Sequence, residues 1–384
     1  MKICMVSEEF PLETPKGGIS TYQWIISKQF AQMDHEIHVI CKTFNSQDRV
    51  EYINGATVHF ISDSFSKNKN NFDTEDYRLK VAKKMTELES IIDVFEVADW
   101  GAESHYYIKN RVKPIVVKLH TPLWVWRYYN KLKTNSYTKK LEIQEKHDIL
   151  DADMVYSCSK SLKEIIINEL DYTKEIAVVQ NPYISSELPY SEKENMILFV
   201  GSLEERKGLL KLAEELNTFF SKNTTHKFIF IGKDTKRNDK DFSTKEYIYS
   251  IIENQYHNRV EFLGHLSQEE IKKILSRSAC SVFPSLYENF PYVVLESMDA
   301  MCPTIGSKYG GIPEIINEEN GWLCDPYIQH NISNVLLKVV SLDNKYIEKI
   351  TLNAKNDLNT LRANEICLQT LDIYEQAIER FYNE

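Results

Sequence analysis

Two glutamates, Glu288 and Glu296, bracket an apolar stretch in the segment ENFPYVVLE, with seven residues between them. Carboxylates are seldom fully buried unless something polar meets them, so each end of this stretch must reach water or a partner. Pro291 suits the first turn of a helix, which puts Glu288 in the loop ahead and Glu296 inside a helix that Tyr292, Val293, Val294, Leu295 and Met298 make apolar on most sides. A carboxylate there is a good bidentate acceptor for a vicinal diol such as a ribose. The amides of Phe290 to Tyr292 would face a phosphate or a sugar.

Other segments point to anions. FVGSLEERKG sets Arg206 and Lys207 at the entrance to a helix. Cations there oppose the helix dipole, so a bound anion is the functional reading and a solvated basic pair the plain one. PKGGIS places Gly17 and Gly18 before another helix: either an anion site built of amides or a tight turn capped by Ser20 or Thr21. The segment is neither GxGxxG nor GxxxxGK[ST], which argues against a simple dehydrogenase or kinase. His120 closes the strand-like run PIVVKL, as a structural hydrogen-bonder or as a polar contact to substrate. Trp124, Trp126, Arg127 and Tyr128 follow, with Tyr129, Lys131 and Lys133. In the plain reading two aromatics pack inward and the charges are solvated. In the functional one the loop walls an acceptor site or touches anionic lipid headgroups.

These residues lie just after apolar runs, in a chain that alternates strand and helix patterns twice. KICMV, HEIHVIC, ATVHFIS, IIDVFEVAD, KPIVVKLHT, DMVYSCS and IAVVQNPY read as strands, with helices over 21–33, 77–90, 101–110, 136–150 and 160–170. After a polar, proline-containing linker at 184–195 the alternation restarts with MILFVG, KFIFIG, RVEFLG, CSVFPS and CPTIGS, and a last helical region covers roughly 330–382. Residues 64–76 read as a polar loop. The pattern predicts two Rossmann-like, doubly wound α/β domains facing a deep cleft, since ligands of such sheets bind outside the carboxyl ends of the strands. The net charge of −10, with no basic run, argues against nucleic acid as a main partner. Seven scattered cysteines with no CxxC read as free thiols in a reducing compartment, with no support for a zinc site. The N-terminus does not resemble a signal peptide.

Taken in order, the segments resemble family 4 of the retaining nucleotide-sugar glycosyltransferases, which have the GT-B fold. ENFPYVVLE resembles the family's E-x7-E motif, Gly17–Gly18 its loop after the first strand, LHTP around His120 its histidine element, and Asn181–Pro182 its element near the linker. GSLEERKG resembles its G-R-L…K-G element and GGIPEII, Gly310 to Ile316, the segment after the motif. The resemblance implies that Glu296 binds the ribose, and that Glu288 and the segment Asn289, Phe290, Pro291, Tyr292 and Val293 contact the donor. It implies that Lys207, helped by Arg206, holds the diphosphate, that Gly17 and Gly18 let their loop approach the phosphate and anomeric carbon, and that His120 contacts the sugar. The catalytic set is then His120, Lys207 and Glu288. The last helix, about 366–384, is expected to return to an N-terminal acceptor domain spanning 1–183, leaving 190–365 as the donor domain.

The resemblance further implies transfer from a nucleotide-diphosphate sugar, UDP favoured, to a glycan, glycolipid or other surface-polysaccharide precursor, without a divalent metal or other cofactor. Residues Trp124, Trp126, Arg127 and Tyr128 are the acceptor candidates. A cytoplasmic protein, in weak peripheral contact with the inner face of a membrane, would fit; the sequence leaves the oligomeric state open. Two features depart from the pattern: Ser202 stands where the family commonly has arginine, and GKDT at 232–235 replaces the usual GxGP. A nucleotide-sugar epimerase and a non-catalytic nucleotide-sugar-binding protein are the rival readings.

Overall fold

The structure, a computed structural model, describes residues 1–13, 17–63, 75–186, 190–236 and 242–383. The first run of alternation forms a sheet of eight strands: β1 (Lys2–Val6), β2 (Glu36–Thr43), β3 (Arg49–Ile53), β4 (Ala56–Ser62), β5 (Val94–Ala98), β6 (Ile115–Leu119), β7 (Met154–Ser157) and β8 (Ile176–Val178). The second forms a sheet of six: β9 (Glu194–Val200), β10 (Lys227–Ile231), β11 (Val260–Gly264), β12 (Ser278–Phe283), β13 (Thr304–Ser307) and β14 (Trp322–Cys324). Their orders are β3-β4-β2-β1-β5-β6-β7-β8 and β11-β10-β9-β12-β13-β14. Every pairing is parallel except β3 with β4. These are two doubly wound α/β units. The central strands are Val/Ile-rich and buried along their length, as parallel strands covered on both faces must be.

Each sheet reverses direction at its first strand, β2-β1-β5 in one and β10-β9-β12 in the other. Such reversals are where open α/β sheets bind ligands. The loop with Arg206 and Lys207 follows β9, and the loop with Glu288 follows β12, so the switch point of the second sheet brings them together. The Gly17–Gly18 loop follows β1.

One compact unit comprises Met1–Arg127, Lys133–Ile184 and Leu361–Glu384; the other comprises Tyr128–Leu132 and Ser185–Thr360. The five residues Tyr128–Leu132 therefore belong with the second sheet, outside the 1–183 expectation. The Arg206 amide donates to Asn130 Oδ1 at 3.1 Å, Lys131 pairs with Glu205, and the Tyr129 ring stacks on Tyr287 at 4.7 Å. The return to the first unit begins at Leu361, not 366. Its long helix, Ala363–Asn383, buries Ile366, Ile373, Tyr374 and Ala377 in the core that holds Tyr22 and Phe30. There Tyr22, Tyr156 and Tyr374 all donate to Glu96, the last at 2.6 Å. The Lys118 ammonium lies over the rings of Tyr22 and Tyr156, 4.3 and 4.4 Å from their centroids.

Three local expectations change. β3 is an extra strand, joined to β4 by a turn in which Asn54 and Gly55 both have positive φ, as a two-residue hairpin requires. The helix predicted over 101–110 shrinks to His105–Ile108, because Gly101 and Ala102 are left-handed and the Gly101 amide donates to Glu145 instead. β14 is a third, short addition. Of the predicted 64–76 loop, residues 64–74 lie outside the described residues, as do Pro15 and Lys16 of the glycine segment.

Candidate active site

In the second unit β9 ends at Val200, and the chain passes through Gly201 and a one-turn 3-10 helix, Glu205–Lys207, before Gly208 turns it into the helix Leu209–Lys222. Arg206 and Lys207 thus precede the long helix rather than opening it. Their charges are met by Glu288: Arg206 lies 2.8 Å from one carboxylate oxygen and Lys207 bonds the other. The two cations hold the Glu288 carboxyl down to about 2, against the burial that would raise it. Arg206 also donates to the Tyr287 carbonyl at 3.0 Å and approaches Glu204 at 3.5 Å, while its buried Nε has no partner. Ser202, in the position of the family's arginine, donates to Glu204 at 2.6 Å.

Glycines let these loops close on one another. A Cβ at Gly208, whose φ is +72°, would lie 1.9 Å from the Pro284 carbonyl oxygen. One at Gly310, φ +70°, would lie 2.1 Å from the Glu288 carbonyl oxygen, which accepts the Gly311 amide at 2.7 Å. The GGIPE segment therefore braces the backbone of Glu288.

The helix after Glu288 runs Tyr292–Asp299, with Pro291 at its N-cap rather than in its first turn. Having no N–H, Pro291 cannot be one of the donors expected over 290–292. Asn289, Phe290, Pro291 and Tyr292 are buried and Val293 half-buried. Glu296 is half-buried, one turn in. Burial raises its pKa, opposed by Lys272 and by a hydrogen bond from Gln268 of the neighbouring helix Gln268–Arg277. Glu288 and Glu296 thus have opposite surroundings. One is ion-paired; the other is a carboxylate with spare accepting capacity.

In the first unit His120 directly follows β6. Its amide donates to Asp99 Oδ1 at 2.9 Å and its ring meets Tyr22 edge-on at 5.2 Å. Burial and the nearby Lys118 keep its pKa well below the usual value. Asp99 Oδ2 is buried without a partner, and burial pushes that carboxyl up to about 7. Glu145 ties the two loops together, accepting the amides of Gly101 at 2.9 Å and Leu123 at 2.8 Å. Neither acid is distinguished by type or spacing; the one signal is that Asp99 directly follows a buried strand. Gly17 is the N-cap and Gly18 the first residue of the helix Gly18–Gln32. The chain's own Glu9 meets this helix end: the Ser20 amide donates to it at 3.2 Å, and a Cβ on Gly17 would come within 2.5 Å of the same oxygen.

The aromatic loop forms the helix Leu123–Tyr129. Trp124 packs on the core of the first unit, Trp126 meets Trp100 at 5.8 Å, and Arg127 is buried and paired with Glu142 at 2.6 Å. Arg127 is therefore not one of the solvated charges of the plain reading. Tyr128 is 76% exposed.

The comparisons agree with this geometry. The family model described as Glycosyltransferase Family 4 matches residues 16–184, and Glycosyl transferases group 1 matches residues 182–357. A protein of Methanocaldococcus jannaschii, named as an uncharacterized glycosyltransferase, is 27% identical over 99% of both chains. Among solved structures, sucrose-phosphate synthase of Thermosynechococcus elongatus superposes with a TM-score of 0.77 at 18% identity, over 98% of each chain. HepE of Anabaena, in complex with UDP, does so with a TM-score of 0.70 at 16% identity, over 97% of this chain and 99% of that one. The two models meet at the linker and between them run almost the full length of the sequence. The chain belongs to the GT-B glycosyltransferases of family 4.

Proposed function

We propose that this glycosyltransferase moves a sugar from a UDP-sugar to a glycan, glycolipid or other surface-polysaccharide precursor, with retention of anomeric configuration and without a divalent metal. The observation that carries the reading is the convergence of Arg206 and Lys207 on Glu288 at the switch point of the second sheet. Breaking the glycosidic bond builds negative charge on the leaving diphosphate and positive charge on the sugar. Lys207 has three N–H donors and spends one on Glu288, so it keeps two for phosphate oxygens. Glu288 holds both cations in place before the donor arrives, so they need not reorganise as charge develops. Its remaining lone pairs are acceptors for sugar hydroxyls. Glu296 supplies the acceptor for a ribose diol.

UDP is the nucleotide bound in HepE, a protein of the same fold. The epimerase and pure-binding readings draw no support from the matched families.

Calorimetry with UDP and GDP on wild type and Glu296→Ala tests the donor assignment. The expected result is tighter binding of UDP and a loss of about ten- to a hundredfold in the variant, the worth of a charge-assisted hydrogen bond; equal affinities in the two proteins remove Glu296 from the site. Turnover in saturating EDTA checks metal independence, and the anomeric coupling constant of the product checks retention.

A further inference from the structure

Five tyrosines from four segments of the chain lie on the second unit. Tyr129 stacks on Tyr287 at 4.7 Å with the rings 12° from parallel, and Tyr128 stands edge-on to Tyr129 at 5.1 Å. Tyr309 and Tyr327, from the loops after β13 and β14, form a second perpendicular pair at 5.0 Å. The loops that carry the two groups adjoin, since the Gly311 amide beside Tyr309 donates at 2.7 Å to the carbonyl of Glu288, which follows Tyr287, and Tyr128 and Lys131 lie within electrostatic reach of the Tyr327 hydroxyl. Tyr128 and Tyr327 are 76% and 57% exposed. Large exposed aromatics gathered in one place mark a contact surface more often than chance exposure does.

This surface is built, not loose. The buried Asp325 accepts the Tyr309 hydroxyl at 3.3 Å on each oxygen and the Tyr327 amide at 3.0 Å, and is itself held by an Asn331 side chain at 2.7 Å. It is also continuous with the donor residues. Tyr287 precedes Glu288, and Tyr309 precedes the Gly310–Gly311 pair that braces Glu288.

A ring with an apolar face and a polar hydroxyl suits a ligand that is apolar on its flat sides and hydroxylated at its rim, and Tyr gives such contact at little entropic cost. A pyranose has that form. The charges disfavour the other occupants. Lys131 is neutralised by Glu205, Asp325 adds a negative charge beneath the tyrosines, and the whole chain is at −10. The paired rings offer a pyranose face more contact than a small dicarboxylic acid could use, and a membrane surface would call for more basic residues around the aromatics than Lys131, Lys133 and Lys308.

We propose that Tyr128, Tyr309 and Tyr327 form a stacking platform for a sugar ring of the acceptor, so that the acceptor is a carbohydrate chain rather than a small acid or a bare lipid headgroup. The proposal rests on the glycosyltransferase reading above.

The test uses the full chain, wild type and Tyr128→Ala/Tyr327→Ala, with Tyr327→Trp as the conservative variant. Binding is measured to gluco-, galacto- and N-acetylglucosamine oligosaccharides of two to six rings, to L-malate, and to phosphatidylglycerol/phosphatidylethanolamine vesicles. Nucleoside diphosphate release from UDP-sugars is followed on the same preparations. The expected result is that one oligosaccharide series binds wild type, that the double variant binds it about tenfold or more weakly while its melting temperature is kept, that Tyr327→Trp restores most of the binding, and that in turnover the acceptor KM rises more than kcat falls. The platform is overturned if the double variant binds oligosaccharide like wild type, if no oligosaccharide binds, or if vesicles or malate bind in their place. If wild type neither binds nor splits any nucleotide sugar, the glycosyltransferase reading fails instead, whichever way the tyrosine variants behave.

Discussion

Glu288 is the residue on which the donor loops depend, and its surroundings give it a measurable signature. Its folded pKa lies below the usual carboxylate value, at about 2. The stability it supplies is therefore fully present above about 4.5, the unfolded value, and is lost as pH falls towards 2. Glu288→Gln should remove that acid-side loss. It should also cost roughly 3–5 kcal/mol at neutral pH, because Arg206 and Lys207 are left as uncompensated, largely buried charges. Urea titrations of the two proteins at pH 7, 4 and 3 check both; parallel curves would mean that the pair contributes nothing. The catalytic counterpart concerns the cations. Lys207→Ala should lower kcat by about a hundredfold, the loss expected for one charge-stabilising donor. With Ser202 bonded to Glu204 rather than offering a guanidinium, no neighbouring cation at that position replaces it. Lys207→Ala with Arg206→Ala should be nearly inactive though folded, and retention of a tenth or more of the wild-type rate, about 1.4 kcal/mol of barrier or less, would remove this loop from the diphosphate site.

At the scale of elements, what positions those side chains is backbone contact between loops, and glycine makes it possible. Gly208 and Gly264 have nearly the same φ, +72° and +70°, but a Cβ at Gly208 meets the Pro284 carbonyl while one at Gly264 meets nothing within 4 Å. Gly264→Ala should then cost only the left-handed backbone, about 1–2 kcal/mol. Gly208→Ala should cost that and a forced separation of the β9 and β12 loops, with loss of donor binding. Denaturation midpoints separate the two, and equal costs would refute the close approach. The elements also show what a sequence can reveal. β5 and β6 are legible because five consecutive apolar or shielded positions are all buried. β3 is not, because its three middle residues are exposed and only Arg49 and Ile53 at its ends are half-buried, and β4 is the one strand it pairs with. The E-x7-E segment and the Arg206–Lys207 pair are contiguous motifs and could be read. Their mutual ion pair could not, since Lys207 and Glu288 lie 81 positions apart. Asp99, Glu145 and the tyrosine pairs were hidden for the same reason: their partners come from loops far away in the chain.

For the whole molecule, buried carboxylates set the response to pH. Burial raises Glu9 and Asp99 to about 7 and Glu103 to about 8. Each keeps its proton in the folded state over a range where the unfolded chain has lost it, so stability falls as pH rises through these values. Histidines such as His59, lowered by burial to about 4, act with the opposite sign, but only below their unfolded value of about 6.5. From about pH 6.5 to 8 the buried carboxylates dominate among the described residues. The melting temperature should fall across that interval, and Glu103→Gln should flatten the decline. A melting temperature that rises from 6.5 to 8 would contradict the burial of these acids.

The hydrogen bond from Tyr374 to Glu96 has a consequence for how the chain is made. A ribosome delivers roughly 5–20 residues each second, so the strand carrying Glu96 emerges well before the helix that completes its surroundings. In that interval the second unit, which is continuous apart from Tyr128–Leu132, has its own sheet in hand. The first unit waits, with Tyr22 and Tyr156 already beside Glu96 and the flank of its core that Tyr374 and Ile373 will cover still open to solvent. The first unit, begun earlier, is thus the one that finishes folding later, and the nascent chain is in greatest need of protection from aggregation until the helix Ala363–Asn383 has left the exit tunnel.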